Sequence, residues 1–303
     1  MYPVIHVPDA AADLTEQLGT KPKFWFTGDG NVRTLFKEAR SDTGEDWAEK
    51  IAAELADLLE LPHATYELGE WCGRRGVVTP TFVPEGGRLV HGNELIARVV
   101  SDYPRDEFFR ARQHTLELVM DFVSLEIVMV PDSFAETENL RSGGDIFVGY
   151  LMLDAWIGNQ DRHHENWALI RFPDGNLRLA PSYDHASSLG RNETDESRID
   201  RLTTRDRGRT IAAYADRARS ALYATARDSK PMKTLDAFRN AGARRPRAAI
   251  EWLNRLRALR DDQIEAIFQS VPRNLMSEPA AEFGTKLLKI NSERLQQTQE
   301  AMK

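Results

Sequence analysis

The 303-residue chain carries a single cysteine, Cys72. One thiol excludes an intramolecular disulfide and leaves no set for a cysteine-built zinc site, so Cys72 reads as a packing residue. Long apolar runs are also missing. Spanning a bilayer takes roughly 18 apolar residues, and the longest candidate, residues 122–130, is broken by Ser124 and Glu126. Residues 1–13 lack the basic stretch and apolar core of a signal peptide, so the expected location is cytoplasmic. Positive charge is short as well: 40 Lys and Arg stand against 47 Asp and Glu, a net −7. That balance argues against non-specific nucleic-acid binding, which needs a basic footprint. The local cluster Arg244, Arg245 and Arg247 reads as a solvated face near a helix start. There is no internal repeat and no low-complexity linker; the length suits one large domain or two lobes.

Residues 1–83 read as mixed strand and helix. Phe24-Trp25-Phe26 and Arg33-Thr34-Leu35-Phe36 are strand-like, and Thr27-Gly28-Asp29-Gly30-Asn31 between them is rich in hairpin-turn residues. Trp47, Ile51, Leu55, Leu58 and Leu59 recur at helical spacing over 45–61, and Pro62 marks the stop. Strand-like runs follow at 63–68 and 76–83. Pro84-Glu85-Gly86-Gly87 is the candidate lobe boundary. Beyond it, 107–129 and 146–157 carry helical periodicity, and 167–170 with 177–179 form a small hairpin. Residues 191–210 hold eleven charged side chains, which suits an exposed, mobile loop. Two amphipathic helical regions, 246–269 and 277–303, close the chain. The expected fold class is α+β, with a small sheet-containing lobe at 1–83 and a larger, mainly helical lobe at 84–303.

The densest chemical signal is Gly158-Asn159-Gln160-Asp161-Arg162-His163-His164-Glu165-Asn166, a polar loop between a helical and a strand-like stretch. Phosphoryl transfer needs a carboxylate to orient the attacking hydroxyl and accept its proton, and oxygen ligands to hold magnesium. Asp161 and Asn166 stand five apart, the Asp-to-Asn spacing of the protein-kinase catalytic loop. A second signal, Leu179-Ala180-Pro181-Ser182-Tyr183-Asp184-His185, lets Asp184 point back at that loop. Magnesium keeps waters and substrate phosphates, so one Asp and one Asn are a sufficient protein contribution. Lys37, ending a strand, can reach ATP phosphates if an acidic partner on the next helix holds it; Glu49 is the candidate and Glu54 the fallback. Gly19 and Thr20, in Leu18-Gly19-Thr20-Lys21-Pro22-Lys23, open a loop that can present backbone N–H groups to phosphates.

Singly, each feature has a plainer reading. An isolated Asp-x4-Asn is more often a self-capping loop. Lys37 alone would be a solvated strand lysine, and Glu49 and Glu54 surface residues on a charged helix. His163, His164 and His185 with Asp161 could instead ligate zinc or iron in a hydrolase. The order lysine, aspartate, asparagine, aspartate along one chain favours phosphoryl transfer.

Gly158 to Asn166 and Leu179 to His185 closely resemble the catalytic and metal-binding motifs of HipA-like serine/threonine kinases. Gly19-Thr20-Lys21-Pro22-Lys23 looks like that family's phosphate loop, and Leu35-Phe36-Lys37 like its ATP-contacting strand. The resemblance covers about 18–300 and is strongest over 149–188. It implies a two-lobed protein-kinase-like fold, ATP and Mg2+ as cofactors, and a protein substrate bearing Ser or Thr. It implies Asp161 as catalytic base, Asn166 and Asp184 as magnesium ligands, Lys37 and Glu49 at the phosphates, and His163 as a brace of the loop. Thr20 falls where relatives carry an autophosphorylated hydroxyl. An antitoxin-like inhibitor is the partner the family suggests. The chain resembles a compact form without the extra N-terminal subdomain of longer HipA toxins. Asp-Arg-His-x-x-Asn also resembles the catalytic loop of phosphatidylinositol kinases, so a lipid or small-molecule acceptor stays open. So does an inactive kinase-fold binding module.

Overall fold

The computed structural model describes residues 1–14, 23–107 and 111–301. Strands β1 (Val4–His6), β2 (Lys23–Thr27), β3 (Arg33–Glu38), β4 (Glu67–Trp71) and β5 (Arg74–Pro80) form one sheet in the order β1-β4-β5-β3-β2. All neighbours are antiparallel except β1 and β4. The β2–β3 turn uses Gly30 and Asn31 at φ 66° and 64°, the left-handed values a tight hairpin demands. Strand alternation sends Phe24, Phe26 and Phe36 into one apolar cluster with Val7 and Val78. Lys37, next to Phe36, therefore projects from the opposite face. It sits directly across from Val77, which packs on Ala53 of helix α1 (Glu45–Leu58). Sheet register thus delivers the lysine to the α1 side.

A turn at 84–87, closed by the Gly87 N–H on the Pro84 carbonyl (2.9 Å), leads into a second sheet. Its strands β6 (Arg88–His91), β7 (Val128–Met129), β8 (Ala168–Arg171) and β9 (Leu177–Leu179) run in the order β6-β8-β9-β7. Helices α2 (Gly92–Ile96), α3 (Leu116–Val123), α4 (Gly143–Ile157), α5 (Asp195–Thr203), α6 (Ile211–Arg217), α7 (Thr234–Arg244), α8 (Pro246–Ala258), α9 (Asp261–Ser270) and α10 (Glu278–Ala301) build the rest. Helix α4 is apolar on every side and buried at every position but Asp145, the signature of a central core helix. Helices α3, α7, α8 and α10 pack around it. Ser142 and Asp145 form its capping box, and Gly158 ends it in the left-handed conformation (φ 68°). No described helix is long and apolar enough to cross a membrane.

Several expectations are corrected. Cys72 is exposed, not packed: it sits at φ 48° beside Gly73 in the β4–β5 turn, where the backbone faces solvent. Part of 191–210 is helical. Thr194 caps α5 by accepting the Ser197 N–H, and Arg198 and Arg201 pair with Asp195 and Glu193 (2.7 Å each), so the charges lace the segment together. The region 246–269 is two helices, broken where Leu259 takes an extended ψ of 142°. Within 107–129 the described helix is only α3, and the strand expected at 63–68 begins at Glu67. Arg244 and Arg245 are not merely solvated: they reach Asp121 and Asp145.

Candidate active site

The site starts from a buried charge. Asp154 lies in the apolar helix α4 and is 1 % exposed. A carboxylate there requires a partner, and Arg162 supplies it through Nε (2.8 Å) and Nη2 (2.7 Å), a bidentate pair that is itself fully buried. Arg162 Nη1 also donates to the Asn166 carbonyl (2.9 Å), and Asn159 Nδ2 donates to Asp154 (2.8 Å). The Asn159 side-chain oxygen in turn accepts the Asp161 N–H (3.3 Å). The loop from Asn159 to Asn166 is thus wound around one ion pair, and Asp161 is left projecting from it. Arg162, to which the motifs assigned no role, stands at the centre of this winding.

Asn166 is buried and donates its amide nitrogen to the Asp161 carbonyl (2.6 Å). This fixes the amide so that its oxygen is the end left to meet a hard cation. His163 accepts the Glu165 N–H at Nδ1 (3.1 Å), which closes the turn and leaves its proton on Nε2, 3.9 Å from the Asp161 carboxylate. Burial depresses the His163 imidazole to about 4, so it is neutral at physiological pH.

Asp184 reaches the same place from the other side. The Ser182 N–H binds the Pro62 carbonyl (2.9 Å), and the Ala64 N–H binds the Ser182 carbonyl (2.8 Å), so the segment is tied to the chain leaving α1. Asp184 itself sits at φ 58°, a left-handed conformation that aspartate tolerates better than most residues, and its N–H donates to the Tyr66 hydroxyl (3.3 Å). Lys37 Nζ contacts the Asp184 carboxylate directly. Burial alone would push the Lys37 ammonium down, but Asp184, Glu49 and Asp161 outweigh it and hold it above its ordinary value.

Glu49 is fully buried and stands 4.0 Å from Lys37. Both its oxygens accept backbone N–H groups, from His185 (2.7 Å) and Ala186 (3.0 Å). It therefore grips the segment carrying Asp184 as well as facing the lysine. The fallback Glu54 lies elsewhere, paired with Lys50 at 2.7 Å. Gly19 and Thr20 lie outside the described residues.

The imidazoles that could have made a zinc or iron site have separate partners. His164 Nδ1 pairs with the Tyr103 hydroxyl (2.7 Å), and His185 Nε2 with Ser182 Oγ (2.6 Å). Among the described residues no group of three or more His, Cys, Asp or Glu is arranged to hold a metal. One amide oxygen and one carboxylate do fit a hard divalent cation that completes its shell with water and phosphate.

Sequence reading missed two further neighbours of this centre. Ser187 donates to the Asp161 carboxylate (3.2 Å), and Arg191 bridges Ser187 to Glu45 of α1.

No protein-family model and no curated protein sequence matches the chain. Solved structures do. The Helicobacter pylori proinflammatory kinase CtkA aligns over 99 % of this chain and 98 % of its own at TM-score 0.75 and 18 % identity. HipA of a Shewanella oneidensis toxin–antitoxin system, solved with HipB and operator DNA, aligns over 93 % of this chain and 65 % of its own at TM-score 0.58 and 13 % identity. The chain therefore has the two-lobed α+β kinase fold that CtkA and HipA share, with a small sheet-containing lobe and a larger helical one.

Proposed function

We propose that this protein is an ATP- and Mg2+-dependent phosphotransferase that moves the γ-phosphate of ATP to a Ser or Thr hydroxyl of a protein. The observation that carries the reading is the meeting of side chains from three segments distant in the chain, the β3 lysine, the 161–166 loop and Asp184. Lys37 touches Asp184, Asp161 lies close enough to raise the Lys37 pKa, and Asn166 holds the Asp161 backbone. In this reading the lobes at 1–83 and 84–303 would hold the nucleotide between them.

In this reading Lys37 holds the phosphates and is itself kept charged by Glu49 and Asp184. Asn166 and Asp184 would hold Mg2+, which supplies neutralisation of the charge developing on the transferring phosphoryl group. Asp161 orients the acceptor hydroxyl in line with the γ-phosphate and takes its proton, a contribution of about 10²–10⁴-fold for a positioned base. His163, neutral and hydrogen-bonded within its own turn, braces the loop. Thr20 would be a site of autophosphorylation. Location is cytoplasmic, and an antitoxin-like inhibitor is the partner to test, since HipA was solved with HipB.

The test is incubation with radiolabelled ATP, Mg2+ and a protein mixture, followed by phosphoamino-acid analysis. Label on Ser or Thr supports the proposal; label confined to lipid or small molecules, or none, overturns it.

A further inference from the structure

We propose that Ser187 and Arg191 are positioning residues for Asp161, joining its carboxylate to the first turn of α1. The inference rests on the reading of Asp161 as the base. Ser187 Oγ donates to Asp161 Oδ2 (3.2 Å) and accepts from Arg191 Nη2 (3.0 Å). A hydroxyl has one proton. With an arginine N–H on its lone pair, that proton is directed at the carboxylate. The arginine's other nitrogen, Nη1, is on the Glu45 carboxylate. Arg191 and Glu45 side chains are only 11 % and 4 % exposed, so the contact is shielded from solvent and salt.

The backbone holds the same path. The Gly44 N–H donates to the Arg191 carbonyl (3.0 Å), the Gln160 N–H to the Ser187 carbonyl (3.1 Å), and the Leu189 N–H to the Ile157 carbonyl (3.0 Å). Leu189 and Gly190 are both left-handed, at φ 54° and 71°, which turns the chain so that Arg191 comes back under α1. A side chain at Gly190 would meet Phe283 at 2.5 Å, so the turn is closely packed.

Glu45 and Glu49 stand four apart on α1 and share a face. Glu49 holds the amides of His185 and Ala186, and Glu45 holds Arg191. One helix thus grips the 184–191 segment at two points a turn apart, through Glu49 on the amides that follow Asp184 and through Glu45 on the arginine that meets Ser187. A residue that merely filled space here would alter stability without separating kcat from KM.

The experiment compares steady-state phosphotransfer by the full chain with Ser187→Ala, Ser187→Thr, Arg191→Leu and the Ser187→Ala/Arg191→Leu pair, with Asp161→Ala as reference. We expect Ser187→Ala to lower kcat about 10–100-fold, as a misaligned reacting group does, with KM for ATP within about twofold because the phosphate-binding residues are untouched. Ser187→Thr, which keeps the hydroxyl, should restore most of kcat. The double variant should fall no further than the worse single, because both act through one carboxylate. A folded Ser187→Ala enzyme with unchanged kcat, or an effect on KM alone, overturns the proposal while Asp161→Ala remains inactive. Full activity in Asp161→Ala would instead remove the underlying reading and this inference with it.

Discussion

Replacing Arg162 by Met tests whether the Asp154–Arg162 pair is the scaffold of the 159–166 loop. The substitution keeps length and apolar volume but leaves the Asp154 carboxylate buried with Asn159 as its one side-chain hydrogen-bond donor among the described residues. Removing one partner of a buried pair costs about 3–5 kcal/mol. With an unfolding entropy of about 2.1 cal/mol/K per residue over 303 residues, that corresponds to a Tm lower by roughly 5–8 °C. Replacing both partners, Asp154→Leu with Arg162→Met, removes the stranded charge and should recover stability to within about 1–2 kcal/mol, since apolar substitutes for buried pairs are often neutral. Phosphotransfer should not recover, because the Asn166 carbonyl and the Asn159 amide still lack the contacts that shape the loop. The assay is a calorimetric or fluorescence melt alongside labelled-phosphate transfer. A single variant within about 1 kcal/mol of the parent, or a double variant with full activity, would refute the scaffold argument.

Four other outcomes follow from the same structure. Gly190→Ala combines a left-handed backbone (φ 71°) with a clash against Phe283; a loss of about 1–3 kcal/mol is expected in urea unfolding. Glu49→Gln should weaken phosphotransfer by setting an NH2 donor against one of the 185–186 amides and removing the charge that faces Lys37, whereas Glu54→Gln, which faces Lys50, should leave ATP affinity unchanged in calorimetry. Asp184→Ala should remove the magnesium-dependent part of ATP affinity, measured with and without the metal. Burial pushes His114 down to about 3. Its folded pKa is below the unfolded one, so the unfolded state binds the extra proton and stability falls as pH drops below about 6.5. Chemical denaturation between pH 6.5 and 4.5 should lose up to about 1.4 kcal/mol per pH unit from this residue, and His114→Gln should flatten the slope by that amount.

Much of the α+β architecture was legible because its signals are local. Short strand-like runs on either side of the turn residues 27–31 marked β2 and β3, and helical spacing of Trp47, Ile51 and Leu55 marked α1. The polar loop after α4 stood out because so many ligand-type residues crowd into nine positions. What stayed hidden depended on pairing across the chain. Asp154, in the middle of Leu-Met-Leu-Asp-Ala-Trp-Ile, was a readable hint, since a carboxylate inside an apolar helix must meet a cation; Arg162, eight residues on, is that cation. Ser187, Arg191 and Glu45 carried no such hint, because their proximity comes from the left-handed turn at 189–190. The charges of 191–210 misled because paired charges on a short helix and free charges on a loop have the same composition. Cys72 misled because composition favours burial, whereas its place was decided by the β4–β5 turn, where it and Gly73 are both left-handed.

The most direct measurement compares the parent protein with Asp161→Ala for both transfer of labelled γ-phosphate and affinity for ATP in the presence of Mg2+. The account predicts that transfer falls by about 10²–10⁴-fold while affinity stays within about threefold, because Lys37, Asn166 and Asp184 are left in place. Transfer at the parent rate, or loss of nucleotide binding as complete as the loss of transfer, would contradict it.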